Sequence, residues 1–469
     1  MGHILSPSRN IADRNTNNFS SDQPYPSPIY AWYVVFVLML AYVFAFLDRQ
    51  ILALLVQPIK QDLAISDTEM SLVLGLAFAI FYTLLGIPIG RLTDRRRRRT
   101  IIGVGITIWC VMTAACGFAR NFGQLFLARV GVGVGEATLQ PCAMSLLSDY
   151  FPRELRGRAI SVYSMGLGVG AGLALILGGQ IIAYVREVPV INVAIVGNMF
   201  SWQLVFLVIG LPGLLVAALM FTVREPQRRD KMHIIGSVDD KISMAEVMSF
   251  LLKRWRTYGT HFLGLSIMAI IGNAYLAWIP TVFIRTWGWN ISEISLWYGL
   301  VVSLGGVVGV ISGGWLGDNL YNRGVKDGHM RAVLIGTIVL VPAAVLVPLL
   351  PSPWLGLLLL IPHSIGSGIA TACGPAALMM VTPNQLRGQV AAVYWFVISI
   401  LGLTIGPTAV ALITDFAFGD EGALRYALAL VSAATGSFVW LLFVNLKYYR
   451  ASITEAEAER WTVVKTAEA

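Results

Sequence analysis

Pro152-Arg-Glu-Leu-Arg-Gly-Arg-Ala-Ile-Ser-Val-Tyr163 returns later in the chain as Pro383-Asn-Gln-Leu-Arg-Gly-Gln-Val-Ala-Ala-Val-Tyr394. A second pair keeps nearly the same spacing: Gly90-Arg-Leu-Thr-Asp94 answers Gly314-Trp-Leu-Gly-Asp318. The separations of 231 and 224 residues differ by little, so one ancestral half with a small insertion accounts for both. A fold built from two equivalent halves follows, and each half must be explained by the same physics.

That physics is burial in hydrocarbon. Apolar residues make up 56% of the chain and charged ones only 13%, about half the share that a water-facing surface demands. Runs of about 20 apolar residues recur along the chain, each long enough to cross a core roughly 30 Å thick. The runs are continuous, whereas the strands of a membrane barrel alternate over about ten residues, so the spans are helices. Twelve are read: span 1 at 32–57, 2 at 70–92, 3 at 101–119, 4 at 122–147, 5 at 157–184 and 6 at 200–223, then 7 at 258–284, 8 at 295–317, 9 at 332–350, 10 at 354–381, 11 at 389–414 and 12 at 425–447. The fold class is an all-α polytopic membrane protein, with twelve transmembrane helices in two pseudo-symmetric six-helix bundles. Duplicated six-helix halves with a midplane site between them are the architecture of secondary transporters.

Charge sets the orientation. Of 34 Lys and Arg residues, 27 fall in loops and tails on the side of both chain ends, and five on the other side: Lys60, Arg120, Arg186, Arg285 and Arg425. Cytoplasmic loops carry the excess of basic residues, so both termini are expected to be cytosolic, in a bacterial inner (plasma) membrane. The same distribution explains the net charge of +8 through the anionic cytosolic leaflet and not through nucleic acid. The expected organisation is a disordered cytosolic tail at 1–30, an N-terminal bundle at 31–223, a cytosolic linker at 224–257, a C-terminal bundle at 258–448 and a cytosolic tail at 449–469. In the linker, Met244, Val247, Met248, Leu251, Leu252 and Trp255 recur at helical spacing, which predicts an amphipathic helix along the membrane surface.

Several chemistries find no support. The four cysteines all sit in apolar runs without metal-ligand or redox spacing, and the five histidines are scattered. Without a nucleophile and base pair, a metal set or a phosphate loop, the reading is a non-enzyme with no cofactor, drawing energy from a gradient. Gly166, Gly168, Gly170, Gly172, Gly178 and Gly179 lie within span 5 with no strand before them, so they read as small-residue helix packing and not as a nucleotide fingerprint.

Gly90-Arg-Leu-Thr-Asp94-Arg95 resembles the loop 2–3 signature of the major facilitator superfamily, although the usual glycine three residues after the Asp is Arg97 here. Leu125-Phe-Leu-Ala-Arg129, followed by Gly133-Val-Gly135-Glu136-Ala137, is similar to its helix 4 signature. Within that superfamily the chain resembles the Spinster group, on Phe46-Leu-Asp48-Arg49-Gln50-Ile-Leu, Ser66-Asp-Thr and Gly86-Ile-Pro-Ile-Gly90. The second resemblance implies export of sphingolipid- or lysolipid-like molecules. The first implies a cytosolic charge latch at Gly90, Asp94, Arg95, Arg156, Arg158, Asp318 and Arg387. Positive-inside topology explains the arginines alone, but not Asp94.

Ionisable residues deep in a span are costly and mark function. Asp48 lies roughly 13 Å below the outer end of span 1, Arg129 roughly 10 Å and Glu136 roughly 20 Å along span 4, at 1.5 Å per residue. Asp48 and Glu136 are therefore expected to compete for Arg129. A carboxylate that loses its guanidinium binds a proton more readily, so the trio is the proton-coupling candidate. Arg49 has two open readings: a fork for a phosphate or carboxylate headgroup, or a packing cation. Asn273, Tyr275 and Trp278 are candidates for lining the second half of a substrate cavity, with packing as the alternative, and His363, Ser364 and Thr371 are similarly open. The leading function is a proton-coupled transporter of an amphiphilic or anionic lipid-like substrate. Its partners are protons and membrane lipids, and the chain is read as a monomer. The alternatives are a proton symporter of a small organic anion, and a non-transporting receptor or scaffold.

Overall fold

The computed structural model describes residues 25–186, 190–193, 197–228, 244–383 and 386–467. Most of the expected N-terminal tail and the middle of the linker lie outside these. The spans form as Pro28–Leu54, then Asp67–Arg95 with a π-turn at Leu72–Leu76, Arg98–Cys116, the pair Phe122–Glu136 and Leu139–Tyr150, Arg153–Arg186, and Ser201–Thr222. The second half follows with Trp255–Trp287, Ile291–Asn322, Gly328–Leu346, Pro353–Val381, then Arg387–Leu412 with a π-turn at Leu401–Ile405, and finally Leu424–Ala467 with a 3-10 turn at Ser437–Val439. Ten of these helices are long and apolar enough to cross a membrane by themselves. Span 4 is broken, and the apolar part of span 5 is the shorter Gly170–Val185.

Three local features differ from the sequence reading. Span 12 continues as helix to Ala467, beyond the end at 447 that the sequence predicts, into the expected cytosolic tail. A short helix, Val56–Leu63, follows span 1, and its last turn ends on left-handed Ala64. Between spans 5 and 6, Val190–Val193 pairs antiparallel with Gly197–Phe200, Ile191 opposite Met199. The stretch Val190-Ile-Asn-Val193 holds three β-branched residues, which favour a strand over a helix. The linker helix forms at Met244–Lys253 and buries Val247 and Leu251 while leaving Met248 and Leu252 exposed. The chain turns at Arg254, so Trp255 opens span 7 instead of extending that stripe.

The described residues begin and end at one end of the molecule, the terminus end. There the Tyr30 hydroxyl of span 1 accepts from the Arg224 N–H after span 6 at 2.9 Å, and the Thr257 and Ser452 hydroxyls of spans 7 and 12 meet at 2.8 Å. The opposite end is the far end. The two halves touch chiefly through span 5 against span 8 and span 2 against span 11. A Cβ on Gly172 would lie 1.7 Å from Ser303 Oγ, and one on Gly179 1.7 Å from Ser295 Oγ, so only glycine permits this approach. The small-residue packing expected of span 5 is thus its use against span 8. A Cβ on Gly75, inside the π-turn of span 2, would lie 2.1 Å from the carbonyl oxygen of Leu403, inside the π-turn of span 11. Toward the terminus end the pattern reverses: Gly86 and Gly90 of span 2, Gly306 and Gly314 of span 8, and Gly388 of span 11 face open space. The buried core follows suit. One apolar cluster joins the halves and includes Phe46, Ile51, Leu175, Phe283 and Ile294. A separate cluster of buried residues at the terminus end, with Val34, Ile102, Leu146, Tyr163 and Val223, belongs to the first half alone. The molecule is closed at its far end and parted at its terminus end.

Candidate functional site

Glycine packing sets where the charges of span 4 lie. A Cβ on Gly133 would lie 2.6 Å from the Phe78 carbonyl oxygen of span 2, and one on Gly135 2.7 Å from the Trp109 nitrogen of span 3. Span 4 is thereby pressed between two neighbours, and its first helix ends at Glu136. Glu136 is buried at 2% exposure, as are Asp48 at 2% and Arg129 at 1%. Burial at this level demands hydrogen-bonded partners, and the partners are specific.

Arg49 donates to one carboxylate oxygen of Glu136 through Nε at 2.7 Å and also through Nη2. Its guanidinium carbon lies 4.3 Å from the Phe78 ring centre, 5.0 Å from that of Tyr82 and 5.2 Å from that of Phe46. Aromatic faces attract a cation, so three rings and one carboxylate hold this side chain, which keeps 19% exposure. Thr113 Oγ1 of span 3 donates to Asp48 Oδ2 at 2.9 Å, and Arg129 Nη1 donates to the Asp48 backbone carbonyl at 3.3 Å. The structure therefore corrects the expected pairing. Glu136 holds Arg49, and Arg129 bonds the backbone beside Asp48 instead of being contested by two carboxylates. The reason is direction: depth along a helix does not fix which way a side chain faces, and it is Arg49 of span 1 that faces Glu136. One Glu136 oxygen, Oε1, and Arg129 Nε have no hydrogen-bond partner among the described residues. The cluster thus retains unused bonding capacity at full burial.

The second half contributes differently from expectation. The Tyr275 hydroxyl donates to the Ala344 carbonyl, and its ring stacks on His363 with centres 4.3 Å apart. The Trp278 indole donates to the Pro407 carbonyl at 2.9 Å. Both side chains are fully buried, so their polar atoms serve packing between spans 7, 9, 10 and 11. Asn273 is partly buried and donates back to Ala269 O at 2.8 Å. Thr371 is exposed and donates to Ser367 O, while Ser364 packs against Gly305.

The far end holds a cluster that the sequence reading missed. Ser66 caps span 2, and Ser66 and Glu69 exchange bonds in a capping box. The cap fixes Asp67, which is fully buried. Arg285 of span 7 takes both Asp67 oxygens, Nη1 at 2.7 Å and Nη2 at 2.9 Å, and reaches Glu421 at 3.0 Å. Lys60 pairs with Asp67 and, at 2.9 Å, with Glu421. Thr68 donates its N–H and hydroxyl to Asp415, in the π-turn Ile413–Phe418 that follows span 11, both at 2.6 Å. Residues of the first half thus bond residues of the second around one buried carboxylate. The signal was present: Lys60 and Arg285 are two of the five cations on the sparsely basic side, where topology gives them no reason to be.

At the terminus end, the repeated motifs fold alike. Arg156 Nε donates to Phe151 O at 3.3 Å and Arg387 Nε donates to Thr382 O at 3.1 Å, each across the proline between them. Asp318 meets His329 Nε2 at 3.2 Å, Arg158 is exposed, and Gly90 faces open space. The Asp94 and Arg95 side chains lie outside the described residues.

Comparison with known proteins adds a lineage. The sequence profile of the Major Facilitator Superfamily matches residues 38–407. An MFS-type efflux pump of Mycolicibacterium smegmatis is 29% identical over 440 residues, covering 92% of this chain and 96% of that protein. A hexuronate transporter of Bacillus subtilis is 25% identical, covering 90% of this chain and 97% of its own length. Among solved structures, a bacterial homologue of the human lysosomal transporter Spinster, in an inward-facing and unoccupied conformation, superposes with a TM-score of 0.74 at 26% identity, covering 92% of this chain and 98% of that one.

Proposed function

Because the chain belongs to the Major Facilitator Superfamily, we propose that it is a proton-coupled secondary transporter of an amphiphilic or anionic lipid-like substrate. It works by alternating access, with the bundles at 31–223 and 258–448 rocking about the site between them. One observation carries this reading: Arg49 is partly exposed, yet its charge is held by a fully buried carboxylate, Glu136. Arg49 can serve one anion at a time. Proton binding to Glu136 removes the resident anion and frees the guanidinium for a substrate headgroup. Substrate departure returns Arg49 to Glu136 and expels the proton. Asp48, held by Thr113 and neighboured by Arg129, is the second proton-accepting group.

With both termini cytosolic, the closed far end is the outside face and the structure is inward-facing. The ion cluster around Asp67 holds that state. Gly90, Asp94, Arg95, Arg156, Arg158, Asp318 and Arg387 act as the latch of the opposite state, in which the terminus end closes. Tyr275 and Trp278 are fully buried in the packing of the second half, so Asn273, which is only partly buried, is the candidate left there to face a substrate. A small organic anion is the second reading, favoured by the similarity to a hexuronate transporter.

The test is counterflow in proteoliposomes at controlled internal and external pH, with a lysophospholipid and a hexuronate as competing substrates. Uptake driven by a pH step, inhibited by the lysophospholipid and lost in Arg49→Ala, supports the main reading. Inhibition by the hexuronate alone selects the second, and transport indifferent to the pH step defeats proton coupling.

A further inference from the structure

A cleft of about 450 Å³ opens at the terminus end of the second half, between the loop after span 8 and the continuation of span 12. It is remote from the charges of spans 1 and 4. The loop turns on Gly324, whose backbone lies in the left-handed region at φ 86°, a conformation that glycine alone adopts without strain. Lys326, Asp327, Arg331, Arg450 and Thr454 line the walls.

The arrangement centres on Asp327, the residue preceding span 9, which is 3% exposed. One of its oxygens accepts from Arg331 Nε at 3.0 Å, the other from Arg450 Nε at 2.6 Å. A guanidinium carries five N–H donors, and only one belongs to Nε. Each arginine is therefore fixed by its inner edge, and its terminal nitrogens make no hydrogen bond among the described residues. The two side chains keep 43% and 54% exposure. One carboxylate between two arginines leaves this trio with a net positive charge.

A plain structural brace accounts for this poorly. One arginine suffices to pair the buried carboxylate of Asp327, and a second, half-exposed one adds only about 0–1 kcal/mol as an ion pair. Two forks aligned by a shared buried anion, facing one cleft, match the geometry with which arginine takes phosphate oxygens in pairs. We propose that this cleft binds a phosphate-bearing anion, gripped by Arg331 and Arg450 with Asp327 as the positioning residue. The same chemistry is offered by an anionic phospholipid headgroup and by a soluble phosphate ester.

The experiment follows thermal unfolding of the purified full chain in a neutral detergent, titrated separately with phosphatidylglycerol, phosphatidylcholine, glycerol 3-phosphate and inorganic pyrophosphate. Stabilisation by phosphatidylglycerol and not by the soluble probes assigns the lipid source, and the reverse assigns the soluble one. Arg331→Gln and Arg450→Gln each leave Asp327 one guanidinium, and each is expected to weaken the effective probe roughly tenfold or more, the loss of a charge-assisted contact. Phenylglyoxal labelling of the wild-type chain, mapped by mass spectrometry, supplies a readout that needs no variant: the effective probe should protect Arg331 and Arg450. No stabilisation by any probe, an equal response in wild type and in Arg331→Gln/Arg450→Gln, or labelling unchanged by the probe would each overturn the proposal.

Discussion

At the scale of single residues, the site turns on which anion Arg49 holds. Glu136→Gln is nearly isosteric and imitates the protonated state, so it should fold and keep Arg49 released. The expected outcome is a conformational equilibrium that no longer responds to pH, with affinity for anionic amphiphiles retained. Distances between labels on the two halves, measured across the pH range, check this; a wild-type pH response in the variant would reduce the pair to a static brace. Arg49→Ala should weaken anionic amphiphiles by roughly 10- to 150-fold, the worth of a charged hydrogen-bond contact, and spare neutral ones. Binding isotherms for a charged and an uncharged analogue decide it, and equal losses would assign Arg49 to packing. Thr113→Val removes the hydroxyl that donates to Asp48 and should cost roughly 1–3 kcal/mol, because it leaves a buried acceptor unsatisfied.

At the scale of elements, spans 2, 5, 7, 8 and 11 make the far-end closure. Its two components differ in kind. The Asp67 cluster is electrostatic: removing one partner of a buried pair costs about 3–5 kcal/mol, and Asp67→Ala strips Arg285 and Lys60 of their buried anion at once. Glu421 cannot compensate fully, being 60% exposed and screened by water. The glycine contacts are steric: Gly172→Val must drive span 8 away, since even a Cβ there would overlap Ser303. Both variants should shift the population toward far-end opening, and Asp94→Asn should shift it the other way if the terminus-end latch operates. Spin-label distances across the far ends of spans 5 and 8 report all three. A Gly172→Val distribution identical to wild type would show that this contact does not set the closed state.

At the scale of the whole molecule, the two halves share a buried core near the far end and separate toward the terminus end. The open side should therefore be the one bearing the chain ends. Cysteines placed at position 10 and position 460 should react with an impermeant reagent only from the cytosolic side of oriented vesicles. A cysteine placed at Gly314, which faces open space at the terminus end, should react from the same side. Labelling of position 10 or 460 from outside would invert the topology and with it the assignment of the inward-facing state.

The sequence by itself determined the number of spans, the duplication and the membrane as solvent, because these rest on composition and periodicity, which are local. Asp48, Arg129 and Glu136 stood out for the same reason: a charge inside an apolar run is visible without knowing its neighbours. Their pairing was not visible. Depth along a helix axis ranks residues but says nothing of azimuth, so the sequence points to Arg129 as the shared partner, whereas Arg49 faces Glu136 across spans 1 and 4. Tyr275 and Trp278 were candidates for a cavity until the carbonyls of Ala344 and Pro407, about 70 and 130 residues away, accounted for their polar atoms. The Asp67 cluster escaped notice because its partners lie 218 residues apart in Arg285 and 347 residues apart for Thr68 and Asp415. Ion pairs that join two independently legible halves exist only in the packed molecule, where desolvation makes an isolated charge untenable and selects its partner.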